Sequence, residues 1–391
     1  MSVMETETDS LDQPVSGEIH TLLHAAIDRE ASDVHLAYGY PVTYRVHGRL
    51  EPVGEVLDGE RIFRMIEAIL PERLRGRLGS PLTSREPRSD SERSSPSRDA
   101  QEKQKNFDFS VSLQHGGVAH RFRTNIYLAQ STWCASLRHV PNQIPTLAWM
   151  GFPEGLAQYL TSYTNGLVII TGVTGSGKST TLAALIDLLN RKGGYRVITV
   201  EEPIEYVHKP ISSTVVTQRE VGRDVDSFYD GLKYGLRQDP DIILVGEIRD
   251  RETAQMALSA AETGHLIFAT LHTRDAKGAV TRFVDLFPHD AQEDVRSQLS
   301  LSLRSVVSQH LLPSARGEGK RALALEIMHV NNPVRAGIRW GKIDSIESAI
   351  QTGKRDGMMT LDEDLERLLM AGKITRETAL RFAKIPGGLR R

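Results

Sequence analysis

The chain has 391 residues, 25% of them charged, with a formal net charge of −2 and one cysteine. That length implies two or three domains. The near-neutral balance excludes a strongly basic nucleic-acid binder, and the lone Cys134 excludes an intrachain disulfide or a four-cysteine zinc site. No apolar run approaches the roughly 18 residues of a membrane span, and the acidic start MSVMETETDSLDQP carries no apolar core of a secretory signal. A cytoplasmic protein without direct membrane insertion is therefore expected.

Residues 1–16 are polar and acidic, the composition of a disordered tail. Ile19, Leu22, Leu23, Ala26 and Ile27 recur at helical spacing. The alternation Val34, Leu36, Val42, Tyr44, Val46, broken at Gly39 and Gly48, predicts a β-meander. Residues 58–78 return to a helical pattern, and 106–140 give further strands. Residues 17–140 thus form a small α+β domain with a mostly antiparallel sheet. The segment 79–105, rich in Ser, Arg, Glu and Pro, reads as a disordered surface insertion. Residues 141–165 read as a linker with a short helix.

The stretch GLVIITGVTGSGKSTTLAALIDLL, residues 166–189, dominates the rest of the chain. A short β-branched run, Gly172-x-x-x-x-Gly177-Lys178-Ser179 and an Ala/Leu-rich helix make up a phosphate-binding loop. Glycines let consecutive N–H groups curl toward an anion, and the helix N-terminus adds partial positive charge. Gly172, Thr174, Gly175, Ser176, Gly177, Lys178, Ser179 and Thr180 are the expected ATP-binding residues. Lys178 would reach the β/γ-phosphates, and Ser179 would hold Mg²⁺. Strands then alternate with helices: strands at 195–200, 212–217, 241–246 and 265–271, helices at 226–237, over ETAQMALSAAETG and over AKGAVTRFVDLF. This predicts a doubly wound α/β domain with a parallel sheet over 166–391. From about 289 the pattern is mainly helical, with 322–330 an added strand.

Ligands of such sheets lie at the carboxyl ends of the strands. After 195–200 come Glu201, Glu202 and Glu205, which suit activating a water or holding a metal. After 241–245 comes Gly246, where many such enzymes place a metal-holding Asp, and then Glu247, which must carry that role. His265 and His272 bracket one strand; they either sense the γ-phosphate or are hydrogen-bonded core residues. Arg121, Arg123, Arg237 and Arg249 are candidates to neutralise charge on the γ-phosphate.

Taken together, GVTGSGKSTTLAALIDLLN, TVEEPIEYVH, QREVGRD, LRQDPDIILVGEIRD and AAETGHLIFATLHT resemble the type IV pilus retraction ATPases of the type II/IV secretion ATPase superfamily. ASDVHLAYGYPVTYRVHGRL resembles their PAS-like N-terminal domain. The resemblance covers 17–78 and 106–388. It implies a RecA-like core in a homo-hexameric motor that hydrolyses ATP with Mg²⁺ to drive pilus retraction and twitching, beside an inner-membrane platform partner. It makes Glu205 the catalytic glutamate of an acidic box over 201–205, Glu247 the Walker B glutamate and 263–272 the histidine box. Arg121 and Arg123 match arginines that complete a neighbour's site. The single cysteine and short N-terminus fit the retraction branch rather than the assembly branch. Residues 333–340, PVRAGIRW, keep the Arg, Ile and Arg of a C-terminal retraction signature and replace its Asn, Leu and Glu, which leaves an accessory retraction or secretion role open. A DNA translocase is the remote alternative; no Lys/Arg cluster outside 79–105 supports nucleic acid as a partner.

Overall fold

A computed structural model describes residues 17–46, 48–75, 105–140, 143–315, 317, 321–385 and 387. The expected acidic tail, and the insertion up to residue 104, lie outside the described residues. The chain divides into two compact units, Met1–Asn142 and Gln143–Arg391.

In the first unit, α1 (Glu18–Asp28) precedes a meander of β1 (Ala31–Leu36), β2 (Pro41–Val46) and β3 (Arg49–Val56). Then α2 (Gly59–Ile69) and α3 (Glu72–Arg75) lead to β4 (Asn106–His115), β5 (Val118–Ala129) and β6 (Thr132–Val140). The single helix expected over 58–78 stops at Ile69, two residues before Pro71, because the residue preceding a proline avoids helical backbone. The sheet is antiparallel throughout, in the order β3-β2-β1-β6-β5-β4. Ile19, Leu23 and Ala26 of α1 and Ile62, Met65 and Ile66 of α2 are buried in one core with Val34, Leu36, Tyr44, Phe122 and Ile126.

The second unit begins earlier than expected. Within 141–165, α4 (Leu147–Met150) and α5 (Glu154–Leu160) are part of its core: Phe152, Leu156, Ala157 and Leu160 are buried against the sheet. Next come β7 (Gly166–Thr171), α6 (Lys178–Lys192), β8 (Arg196–Glu201), β9 (Val215–Glu220), α7 (Phe228–Gly235), β10 (Ile242–Val245), α8 (Arg251–Glu262), β11 (Leu266–Leu271), α9 (Ala276–Asp285) and α10 (Gln292–Ser302). Past 289 the strand expected at 322–330 is β13 (Arg321–His329), but the stretch before it, expected to be helical beyond α10, is a further strand, β12 (Leu303–Pro313), paired with β13 in a hairpin. Helices α11 (Asn332–Arg339), α12 (Asp344–Thr352), α13 (Leu361–Met370) and α14 (Arg376–Phe382) follow.

The seven strands run in the order β13-β12-β7-β11-β10-β8-β9, parallel except at the β12–β13 pair. Helices cover both faces. Strand alternation sends Leu167 and Ile169 into the core beneath α8, α9 and α10, and Val168 and Ile170 into the core beneath α5 and α6. Burying each of these four side chains contributes roughly 1.5–3 kcal/mol. Among the described residues no helix is long and apolar enough to cross a membrane.

Candidate functional site

The turn between β7 and α6 curls because its glycines adopt conformations that other residues rarely take: φ is +147° at Gly172, +79° at Gly175 and +91° at Gly177. At Gly172 a Cβ would stand 2.4 Å from Ser176 Oγ and 2.5 Å from the Gln309 carbonyl. The loop is thus pressed against β12. The fifteen-residue α6 starts at Lys178 and ends in Arg191 and Lys192, so its positive end faces the loop and its basic residues the other end. Thr174, Gly175 and Ser179 are exposed at the loop surface.

Lys178 is only 8% exposed. Its ammonium donates to the carbonyls of Gly172 (2.9 Å) and Val173 (3.3 Å) and stands 3.5 Å from His272 Nδ1. Burial pulls its pKa down; the charges of Glu247 and Glu205 oppose that pull. From Lys178 a chain of polar contacts crosses the carboxyl ends of the strands. His272 Nε2 meets Glu247 Oε1 at 3.2 Å, the other Glu247 oxygen accepts from Arg249 at 2.8 Å, and Arg249 also reaches Glu202 at 2.8 Å. Burial would raise the Glu247 carboxyl, but hydrogen bonds and charge from Arg249 and His272 outweigh it and hold the group below its usual range. At Gly246, where many such enzymes carry an aspartate, a side chain would crowd its neighbours. A Cβ there would lie 3.1 Å from the Val200 carbonyl and 3.2 Å from the Phe228 ring, while its own carbonyl accepts from Thr270 Oγ1.

Glu205 lies on the loop after β8, close enough for its charge to act on Lys178, Glu201 and Tyr206. Burial pushes the Glu201 carboxyl up. That carboxyl accepts from Thr199 Oγ1 (2.6 Å), Gln218 Nε2 (3.1 Å) and the Glu205 backbone N–H. The Thr180 hydroxyl meets the Tyr206 hydroxyl at 3.0 Å, which ties the acidic loop to α6.

The structure therefore brings together Gly172–Thr180, Glu201, Glu205, Glu247, Arg249 and His272. It does not bring in His265 or Arg237. His265 precedes β11, at the amino end of the strand, and its Nδ1 lies 3.1 Å from the Ala260 carbonyl of α8. Arg237 is exposed after α7, where the chain turns toward the amino end of β10. Arg121 and Arg123 belong to the first unit; they flank the buried Phe122 on β5 and share the opposite face of that strand, Arg123 exposed.

Several contributors are absent from the candidate residues read from the sequence. Thr171 Oγ1 and Thr273 Oγ1 meet at 2.8 Å and hold the segment after β11 beside the phosphate loop. Gln309, fully buried on β12, donates to Thr181 Oγ1 at 2.8 Å. Arg321 at the start of β13 donates to the Gly175 carbonyl at 3.3 Å. The pairing of β11 with β7 brings the two threonines together, and the β12–β13 hairpin laid along β7 brings in Gln309 and Arg321, which no short motif marks.

Residues 93–370 match the family model described as "Type II/IV secretion system protein". The chain is 40% identical over 370 residues to the type IV pilus retraction ATPase PilT of Pseudomonas aeruginosa, covering 94% of this chain and 99% of that one. It is 36% identical to the type IV pilus ATPase PilU of the same organism, covering 95% and 90%. A solved structure of the pilus retraction motor PilT with bound ADP superposes with a TM-score of 0.81 at 37% identity, covering 96% of this chain and 99% of that one. The Legionella pneumophila ATPase DotB gives 0.75 at 28% identity, covering 94% and 96%. With this site at the strand ends of a RecA-like core, the chain is a PilT/PilU-like member of the type II/IV secretion system protein family.

Proposed function

We propose that this chain hydrolyses ATP to ADP and phosphate in a ring of six copies, and that the ring powers type IV pilus retraction from the cytoplasmic side of the inner membrane through a platform protein. The observation that carries the reading is the unbroken line Lys178–His272–Glu247–Arg249–Glu202 beside Glu205, at the end of the sheet that bears the phosphate loop. The resemblance to PilT, covering nearly the whole of both chains, supplies the pilus.

The residues fit a nucleotide triphosphate with Mg²⁺. Gly172 has no space for a side chain, Ser179 presents its hydroxyl at the first turn of α6, and Glu247 is held ionised as a hard oxygen donor. When bound, Mg²⁺ would neutralise charge on the β- and γ-phosphate oxygens. The loop N–H groups and Lys178 bind the phosphates, and Glu205 accepts a hydrogen bond from the attacking water and turns it in line. Glu247, its carboxylate fixed by Arg249 and His272, would help to hold the ion. His272, between Lys178 and Glu247, registers whether the γ-phosphate is present. Arg123 and Arg121 act on the site of a neighbouring copy.

Glu205→Gln tests the chemistry. Expected is a loss of hydrolysis of at least about 100-fold, as for removal of a positioned base, with ADP binding retained. Equal rates for the two proteins would reject it. The pilus assignment is tested in a strain deleted for its own retraction ATPase: restored twitching and normal surface piliation support it. An accessory role, favoured by the similarity to PilU and the altered stretch 333–340 on α11, predicts restoration only alongside a second retraction ATPase.

A further inference from the structure

The hydrolysing loop is not self-supporting. Residues 202–208 leave the end of β8 without regular structure, and their backbone groups need partners. Those partners come from one face of β9, the parallel neighbour at the edge of the sheet. Gln218 stands opposite Thr199 and Glu220 opposite Glu201, and residues two apart on a strand share a face. The Gln218 amide makes three contacts. Its Nε2 donates to the Glu201 carboxylate at 3.1 Å and to the Tyr206 carbonyl at 2.8 Å, and its Oε1 accepts from the His208 N–H at 2.9 Å. Two residues along, buried Glu220 accepts from the Ile204 N–H at 3.1 Å. Glu205 is thus bracketed on both sides, by Ile204 held from Glu220 and Tyr206 held from Gln218. Its own N–H is taken by Glu201, the third corner of the bracket.

We infer that Gln218 is a positioning residue for the hydrolytic step, that Glu201 serves with it as an anchor rather than as a base, and that β9 is the part of the sheet that sets where the Glu205 carboxylate points. Its three hydrogen bonds all go to β8 and the acidic loop and none to the phosphate loop, so it governs turnover without governing nucleotide binding. An amide is the side chain this place calls for, because it must donate twice and accept once. A leucine of similar size donates nothing and strands the His208 N–H and the Tyr206 carbonyl. A glutamate keeps the acceptor, loses both donors and faces Glu201 on β8, Glu205 and His208 on the loop and Glu220 on β9. Arg219 projects from the other face of the strand. The inference rests on the proposed ATP hydrolysis and deepens it.

The test measures kcat, the KM for ATP and the Kd for ADP in the full-length wild type, Gln218→Leu and Gln218→Glu between pH 6 and 8. Gln218→Leu should lose at least about tenfold in kcat with its ADP Kd within about threefold of wild type, the pattern of a misplaced base rather than a damaged pocket. In Gln218→Glu the ratio of kcat to wild type should rise as pH falls, because the protonated acid regains one donor. A purely structural role would lower melting temperature and binding together and leave that ratio flat. A leucine variant within twofold of the wild-type kcat overturns the inference, as does a flat glutamate ratio. Should the leucine variant fail to fold, the glutamate ratio decides by itself. A wild type that does not hydrolyse ATP sinks the functional proposal and this inference together, whereas an active wild type with an indifferent Gln218 sinks the inference alone.

Discussion

Adding one methyl group at Gly172 should unsettle the second unit more than any other alanine in the phosphate loop. The new Cβ would lie 2.4 Å from Ser176 Oγ and 2.5 Å from the Gln309 carbonyl oxygen, with φ at +147°. Neither neighbour retreats easily: Ser176 is buried, and Gln309 is paired with Leu325 in the β12–β13 ladder. Overpacking costs about 1–3 kcal/mol, and a non-glycine residue in such a backbone region adds about 1–3 kcal/mol. A total near 3–4 kcal/mol lowers the melting temperature of a unit this size by about 10 °C. Gly175→Ala is the control. It shares a positive φ, +79°, but its Cβ would meet nothing within 4 Å, so about 1 kcal/mol and a shift of about 3 °C are expected. Ser176→Ala combined with Gly172→Ala should recover about 1 kcal/mol and no more, since the Gln309 carbonyl remains. Thermal melts of the four proteins decide the matter. Equal shifts for Gly172→Ala and Gly175→Ala, or full rescue by Ser176→Ala, would refute the contact argument.

The Asp364 side chain is fully buried and accepts from the Leu325 N–H at 2.8 Å and from Arg367 Nε at 2.6 Å, so Asp364→Ala should cost about 3 kcal/mol in urea unfolding, against less than 1 kcal/mol if the site were ordinary surface. Burial pushes His329, paired with Ser305 at 2.7 Å, down to about 4. Its contribution is complete above the unfolded value near 6.5 and is lost as pH falls toward 4. The wild type should lose about 2 kcal/mol more than His329→Gln between pH 7.5 and pH 5; parallel curves would contradict this. Arg249→Ala removes the main partner holding Glu247 low, so the acid limb of the hydrolysis profile should move to higher pH, and an unmoved limb would free Glu247 of that dependence.

Much of the second unit could be read from the chain because parallel strands buried on both faces are continuous apolar runs, as in Leu167–Ile170, Ile242–Val245 and Leu266–Leu271. The same logic failed for β12. Its run LRSVVSQHLLP contains Ser305, Ser308 and Gln309, which look like surface residues, yet all three are buried. They are tolerated there because each finds a partner: His329, the Arg274 carbonyl and Thr181. The short strand expected at 212–217 lies instead at Val215–Glu220, its polar end retained because Gln218 and Glu220 hold the acidic loop. Strand direction separates the two histidines that spacing alone left equal: only His272 follows the carboxyl end of β11. The register that carries Arg321 to the Gly175 carbonyl depends on a hairpin folded against β7, a long-range fact with no local signature.

The place of β7 has a consequence for biosynthesis. Its two neighbours are β11 and β12, made on the order of a hundred residues and more after it, so pairing must await most of the chain and folding carries a high contact order. A nascent chain that ends before β12 has the whole phosphate-loop motif in its sequence, but lacks the strand against which Gly172 is pressed. The ribosome therefore releases the nucleotide site late, and unfinished chains keep one edge of β7 open to chaperones or to aggregation.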